Sequence, residues 1–285
     1  MGIVGTTNPD GFDLGPNPRA LQLVWFSLLI LGQAGLAFLL MTFYLSRSLC
    51  PRMPVLYNLV LLSFLATPIY LILFYSNEYM NTNPPYSLCL VQAIFKHGID
   101  PAFLLASFLH VFETWQNASR GPVQQTHSKA RQRIILGLPH LNFVVASIST
   151  AVMGTRFPEK VARGGHSFFC TINDGPFGTI WAVEMAILAF GTLACQGGIC
   201  ILFWKHRTAA RLLGAPSSLD HFQLMRISIF NVCTLVCSTF LAILPLFVFI
   251  IFSSHKDILK YWCHSRRAET SKTIPPKPED DLYLP

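Results

Sequence analysis

Lys96 and Asp100 stand four residues apart in a long apolar stretch, CLVQAIFKHGIDPAFLLASFLHVFETW, at residues 89–115. His97, His110 and Glu113 lie in the same stretch. On a helix, steps of three and four residues put Cys89, Gln92, Lys96, Asp100, Phe103, Ser107, His110 and Thr114 on one stripe. Every member but Phe103 is polar or carries sulfur. A segment long enough to cross a bilayer cannot turn such a stripe to lipid. It must face other helices or a water-filled cavity. The chemistry on offer is charge pairing at low dielectric, because Lys96 and Asp100 can meet along that face. The chemistry of an enzyme is not on offer. The chain shows no Ser–His or paired-Asp set at one depth, no His-x-x-His-His boxes and no Asp/Gly cluster. We expect no catalytic residues, no metal site and no cofactor.

A helix with one wet face needs a wall of other helices around it. The composition supplies that wall: of 285 residues, 52% are hydrophobic and 12% charged, against roughly 25% charged in soluble domains. The reading is all-α, a polytopic transmembrane helix bundle with six predicted spans. Residues 1–20 form an outer tail with Asp10, Asp13 and no basic flank of a cleavable signal peptide. Residues 21–254 form the bundle, with spans at 21–46, 54–76, around 89–115, 134–154, 176–204 and 222–254. Residues 255–285 form a basic amphipathic stretch and then a Pro-rich, acidic tail without a fold. Pro68 is expected to kink the second span and Pro101 to bend the third. The net charge of +7 does not point to nucleic acid, because the basic residues sit in short loops and the tail. The partner they imply is the lipid bilayer.

Arg47 and Arg52 follow span one. Arg120, Lys129, Arg131 and Arg133 follow span three, and Lys205, Arg207 and Arg211 follow span five. The loop at 77–87 has one acid and no Lys or Arg. The positive-inside rule then places the N-terminus outside. Six crossings would leave the tail outside too, although Lys256, Lys260, Arg266 and Arg267 make its start basic. The last apolar run, 222–254, is 33 residues, about 50 Å of helix against a hydrocarbon core of roughly 30 Å. It is either one long tilted helix or two helices joined with their outer halves missing.

Of eight cysteines, Cys89 and Cys170 are the two that this topology puts on the oxidising side. They are either bridged, pinning the loop at 155–175 across the bundle mouth, or two unpaired thiols.

The blocks SLCLVQAIFKHGIDPAFLLASF, FFCTINDGPFGTIWAVEMAI and LPLFVFIIFSSHKDILKYW resemble the third, fifth and seventh helix regions of a family of fungal G-protein-coupled-receptor-like proteins with seven transmembrane helices. The resemblance implies a rhodopsin-like seven-helix arrangement, here with the sixth and seventh helices merged and Pro245 in the helix-seven part. It implies a plasma-membrane signal receptor with a small ligand and a heterotrimeric G protein as partners. Ligand-pocket candidates are then Gln92, Lys96, His97, Asp100 and Glu184, the first four within about 17 Å of Cys89 along the helix. The other reading of Lys96 and Asp100 is a structural ion pair, closed on itself or shared with Glu184. His110 and Glu113 are candidates for an inner-end switch, latched to Arg120 or to the basic loop before span six. Their other reading is snorkelling to the headgroups. The chain departs from receptor signatures: Glu113-Thr114-Trp115 stands in place of Asp-Arg-Tyr, and Leu244-Pro245-Leu246-Phe247-Val248 in place of Asn-Pro-x-x-Tyr. The alternatives are a small-solute transporter or channel, or a truncated, non-signalling receptor product.

Overall fold

The computed structural model describes residues 18–45, 54–120, 129–163, 168–173 and 175–213. The apolar run at 222–254, Pro245 and the tail at 255–285 lie outside the described residues, as does the side chain of Arg120. The elements in chain order are α1 (Pro18–Leu45), α2 (Pro54–Tyr70), the one-turn α3 (Ile72–Tyr75) and α4 (Tyr86–Arg120). Then come α5 (Lys129–Arg156), strands β1 (Val161–Arg163) and β2 (Cys170–Ile172), and α6 (Gly175–Leu213). The chain is thus a bundle of α-helices. Among the described residues, four helices, α1, α4, α5 and α6, are long and apolar enough to cross a membrane, and α2 is a shorter apolar helix.

Each of the first five predicted spans is helical. The helices run further than the apolar windows. α5 begins at Lys129 and α6 continues to Leu213, so residues expected in loops, Arg131 among them, are helical. Pro68 breaks the second span as its chemistry requires. It has no N–H for the carbonyl of Phe64, and the Thr67 hydroxyl donates there instead (2.8 Å). α2 ends at Tyr70, and the Leu71 N–H is shared between the carbonyls of Thr67 and Pro68 (both 3.1 Å). α4 remains one continuous helix through Pro101.

α4 is the centre. It packs against α2, α5, α6 and both strands, and α1 packs on α2. Leu59, Val60 and Leu62 of α2 meet Ile99, Phe103 and Ala106 of α4 and Leu36, Leu39 and Phe43 of α1. The outward faces are the opposite of a soluble protein's. Ile134, Leu138, Leu141, Val145, Ile148 and Val152 line one exposed face of α5, and Ile180, Val183, Ile187 and Phe190 one exposed face of α6. Gln22, Asn58, Gln92, Ser107, His110 and Glu113 are buried instead. Apolar outside and polar inside is the arrangement a hydrocarbon solvent selects. The chain is membrane-associated on this evidence.

The helices approach α4 closely where it or its neighbour has no side chain, as small residues permit in membranes. A Cβ added at Gly98 would lie 2.1 Å from Ser147 Oγ and 3.0 Å from two ring carbons of Phe143. One at Gly198 of α6 would lie 2.6 Å from Trp115 Nε1. Gly98→Ala is therefore expected to destabilise the bundle by about 1–3 kcal/mol through overpacking. Thermal unfolding in detergent checks this against Gly137→Ala, where nothing lies within 4 Å. Equal midpoints for the two variants would show that the α4–α5 seam has room to spare.

The connection between α5 and α6 was read as a loop. It contains a short antiparallel strand pair, with Val161 opposite Ile172, Ala162 opposite Thr171 and Arg163 opposite Cys170. Val161 and Ile172 point inward, onto Leu73 and Ala93, and leave Ala162 and Thr171 partly exposed.

Candidate functional site

The strand pair is fastened over one end of the bundle by three devices. Cys170 of β2 is disulfide-bonded to Cys89 in the first turn of α4, with Cα atoms 5.1 Å apart and both residues buried. The bridged reading of the two cysteines is the one found. Gln92 lies one turn further along α4. Its Oε1 accepts the Cys170 N–H (2.9 Å), and its Nε2 donates to the carbonyl of Ile69 (3.1 Å), beside the break in α2. Its fully buried amide thus ties the kink of α2 to β2. Arg163 of β1 donates to the carbonyls of Tyr79 (2.8 Å) and Asn81 (2.9 Å) in the α3–α4 connection. Gln22 of α1 joins this knot, its amide turned so that nitrogen donates to Tyr79 O (2.9 Å) and oxygen accepts from Arg163 Nη2 (3.3 Å). Burial pulls the Arg163 guanidinium down to about 10, which leaves it charged at neutral pH. The anchor therefore holds across the physiological range.

Beneath this cover, α4 presents its charged turn. Lys96 Nζ is 3.0 Å from Asp100 Oδ2, with side chains 12% and 22% exposed. The other carboxylate oxygen, Oδ1, accepts a hydrogen bond from the Tyr70 hydroxyl. The Lys96 ammonium also sits over the ring of Phe169, 4.8 Å from its centroid, a cation–π contact. Phe169 meets Tyr70 edge-on (5.5 Å), and its neighbour Phe168 stacks on Trp25 of α1 (4.8 Å). His97 Nε2 shares a hydrogen bond with Thr171 Oγ1 of β2 (3.0 Å), and its ring meets Phe177 of α6. Lys96, His97 and Asp100 thus lie together under the strands; Lys96 and Asp100 share the stripe, and His97 stands beside it.

Two candidates sit elsewhere. Gln92 is committed to backbone groups rather than turned to an open site. Glu184 does not reach the Lys96–Asp100 pair; its Oε1 accepts from Asn142 Nδ2 (2.7 Å), linking α5 to α6. Tyr70, Phe169 and Thr171 belong to the cluster and were not singled out from the sequence. Tyr70 had one available signal, its place two residues after a helix-breaking proline.

The opposite end of α4 carries a second charged group. Glu113 Oε1 pairs with Arg131 Nη2 of α5 at 2.5 Å, and the same nitrogen donates to Gln116 Oε1. The two partners expected, the Arg120 side chain and the loop before span six, lie outside the described residues for all but a few positions; among the described residues Glu113 pairs with Arg131. α5 starts early enough to bring Arg131 alongside. Glu113 and its neighbour His110, one turn away, are both buried. Beside the pair lies a cavity of about 120 Å³, lined by Glu113, Asn117, Arg131 and Gln132 and closed on its apolar side by Pro54, Val55 and Ile135. Among the described residues, no three His, Cys, Asp or Glu side chains come together as a metal cage.

With these positions in place, the chain was compared with known proteins: no protein-family model matches it, and no curated protein does.

Proposed function

We propose that the chain is a multi-pass signal receptor of the G-protein-coupled-receptor-like kind that its sequence resembles. The carrying observation is that one central helix holds charged clusters at both ends. Lys96 and Glu113 are 17 positions apart, about 25 Å along α4. The cluster at Lys96, His97 and Asp100, under a disulfide-fastened cover, suits a small ligand that competes for the Lys96–Asp100 pair. The Glu113–Arg131 pair suits a latch that holds α4 against α5 at rest. A ligand that moves α4 at one end biases the latch at the other. In this reading the covered end is outside, where a disulfide persists. The N-terminus is outside with it, and the membrane is the plasma membrane. Residues 222–254 supply merged sixth and seventh helices, and a heterotrimeric G protein reads the basic far end.

The reading makes a prediction that needs no ligand. Glu113→Gln removes the counter-charge of Arg131, and basal nucleotide exchange on a purified heterotrimeric G protein should rise about three- to tenfold, the scale of a typical coupling energy. The measurement uses the full chain in lipid vesicles. Exchange absent from both wild type and variant, together with solute flux across the same vesicles, would replace the receptor with a transporter.

A further inference from the structure

The cavity at the Glu113 end has a chemistry of its own. We propose that it is a binding site for the phosphate headgroup of a membrane phospholipid, which competes with Glu113 for Arg131. The cavity volume of about 120 Å³ is several times the roughly 30 Å³ share of one water in the liquid. It therefore admits a group of several heavy atoms. Its wall is divided, with Arg131, Gln132 and Asn117 offering hydrogen bonds and Pro54, Val55 and Ile135 offering none. That division matches a headgroup joined to apolar chains.

The charges decide the sign of the ligand. Of the ion pair, Arg131 is the more accessible, its side chain 29% exposed against 11% for Glu113. Both side chains line the cavity, and the guanidinium is the less enclosed of the two. A guanidinium fork fits phosphate oxygens in pairs. Lys129 and Arg133 are exposed two residues to either side of Arg131, on the face of α5 turned away from the cavity, and do not line it. At the cavity itself one cation stands against one carboxylate, and the guanidinium, the more exposed of the two, is the group that an incoming anion can engage.

Depth decides its source. Tyr44, Tyr57 and Trp204 are large, exposed aromatic side chains, and they lie at this end of α1, α2 and α6. Amphipathic rings gather at headgroup level. Tyr57 is one helical turn from Pro54 on the cavity wall. The cavity therefore lies where phospholipid phosphates lie. The binding itself needs only the cavity. Its consequence, that the headgroup releases Glu113 and loosens the α4–α5 latch, rests on the receptor reading above.

The test uses the full chain in vesicles of phosphatidylcholine, with or without phosphatidic acid, and native mass spectrometry to count the lipid carried out with the protein. Wild type should retain phosphatidic acid over phosphatidylcholine. Glu113→Gln removes the competitor and should raise that retention about tenfold, the scale of a charge-assisted hydrogen bond. The Glu113→Gln/Arg131→Gln double variant leaves no stranded charge and should lose the preference. Retention that is unchanged in both variants, or that falls in Glu113→Gln, overturns the site. Loss through Lys129→Gln alone, with Glu113→Gln neutral, also overturns it, by showing a diffuse basic surface. Inorganic phosphate that empties wild type of phosphatidic acid at concentrations no higher than those of the lipid would overturn the lipid assignment, since the apolar chains would then add nothing to binding. The readout is bound lipid, so it stands or falls separately from any nucleotide-exchange result.

Discussion

Cys89→Ser lowers the stability of the bundle by about 2–4 kcal/mol, and Cys170→Ser and the double variant lower it by the same amount. The bridge closes a loop of 81 residues, for which loop-closure entropy alone sets a ceiling of about 4.5 kcal/mol. The lower bound reflects an unfolded chain that stays helical in lipid and so has less entropy to lose. The three variants should agree because any one of them removes the same bond. The cover would not detach altogether. The Gln92 bonds to Cys170 N and Ile69 O and the Arg163 bonds to Tyr79 O and Asn81 O remain. Thermal unfolding in detergent, with and without reductant, measures the loss. Reductant should bring wild type to the level of the variants and leave the variants unchanged. A wild type indifferent to both would mean that the side-chain anchors hold the strands alone.

The helices were legible because lipid imposes a simple rule on composition. Each of the first five windows, uncharged or with few charges, is helical in the described residues. The position of α4 was legible for the same reason. A stripe of Lys96, Asp100, His110 and Thr114 has nowhere to go but the middle of a bundle. Pro68 gave the break in α2 because its missing N–H has one outcome wherever the helix lies. The sequence singled out Cys89 and Cys170 but left them bridged or unpaired, and the structure shows the bridge.

What remained hidden depended on distant partners. Tyr70 is one aromatic among many in an apolar window. Only the rotation of α2 against α4 directs its hydroxyl to Asp100. Glu184 and the Lys96 turn are each charged, and nothing in their spacing says that Asn142 takes the first. Arg131 was read as a loop residue, because an apolar window cannot show how far a helix extends into its polar flank. The strands were foreshadowed by alternation. Val161 and Arg163 flank Ala162, as Cys170 and Ile172 flank Thr171, and Gly164-Gly165 follows the first set. Three residues per strand are too few for that alternation to stand out.

Asp100→Asn is expected to cost about 3 kcal/mol, and Asp100→Asn with Lys96→Met markedly less. The single change strands the Lys96 ammonium, 12% exposed, without its counter-charge. Breaking one side of a buried pair typically costs about 3–5 kcal/mol. The lower end applies here because the Asp100 side chain is 22% exposed and water screens part of the charge. The contact with Phe169 returns some of the loss, since the ring still faces the ammonium at 4.8 Å. In the double variant no charge is left to strand. An amide oxygen still accepts from Tyr70, and a methionine fills the volume of the lysine stem beside the ring. The two readings of the cluster part at this point. If the pair serves packing alone, the double variant regains most of the stability and leaves basal nucleotide exchange untouched. If Lys96 and Asp100 each contact a ligand, the double variant regains stability but loses response to any agonist more completely than the single. Unfolding midpoints for the three proteins settle the first part. A double variant less stable than Asp100→Asn would sink the plain ion pair, since removing the stranded charge would then have made matters worse.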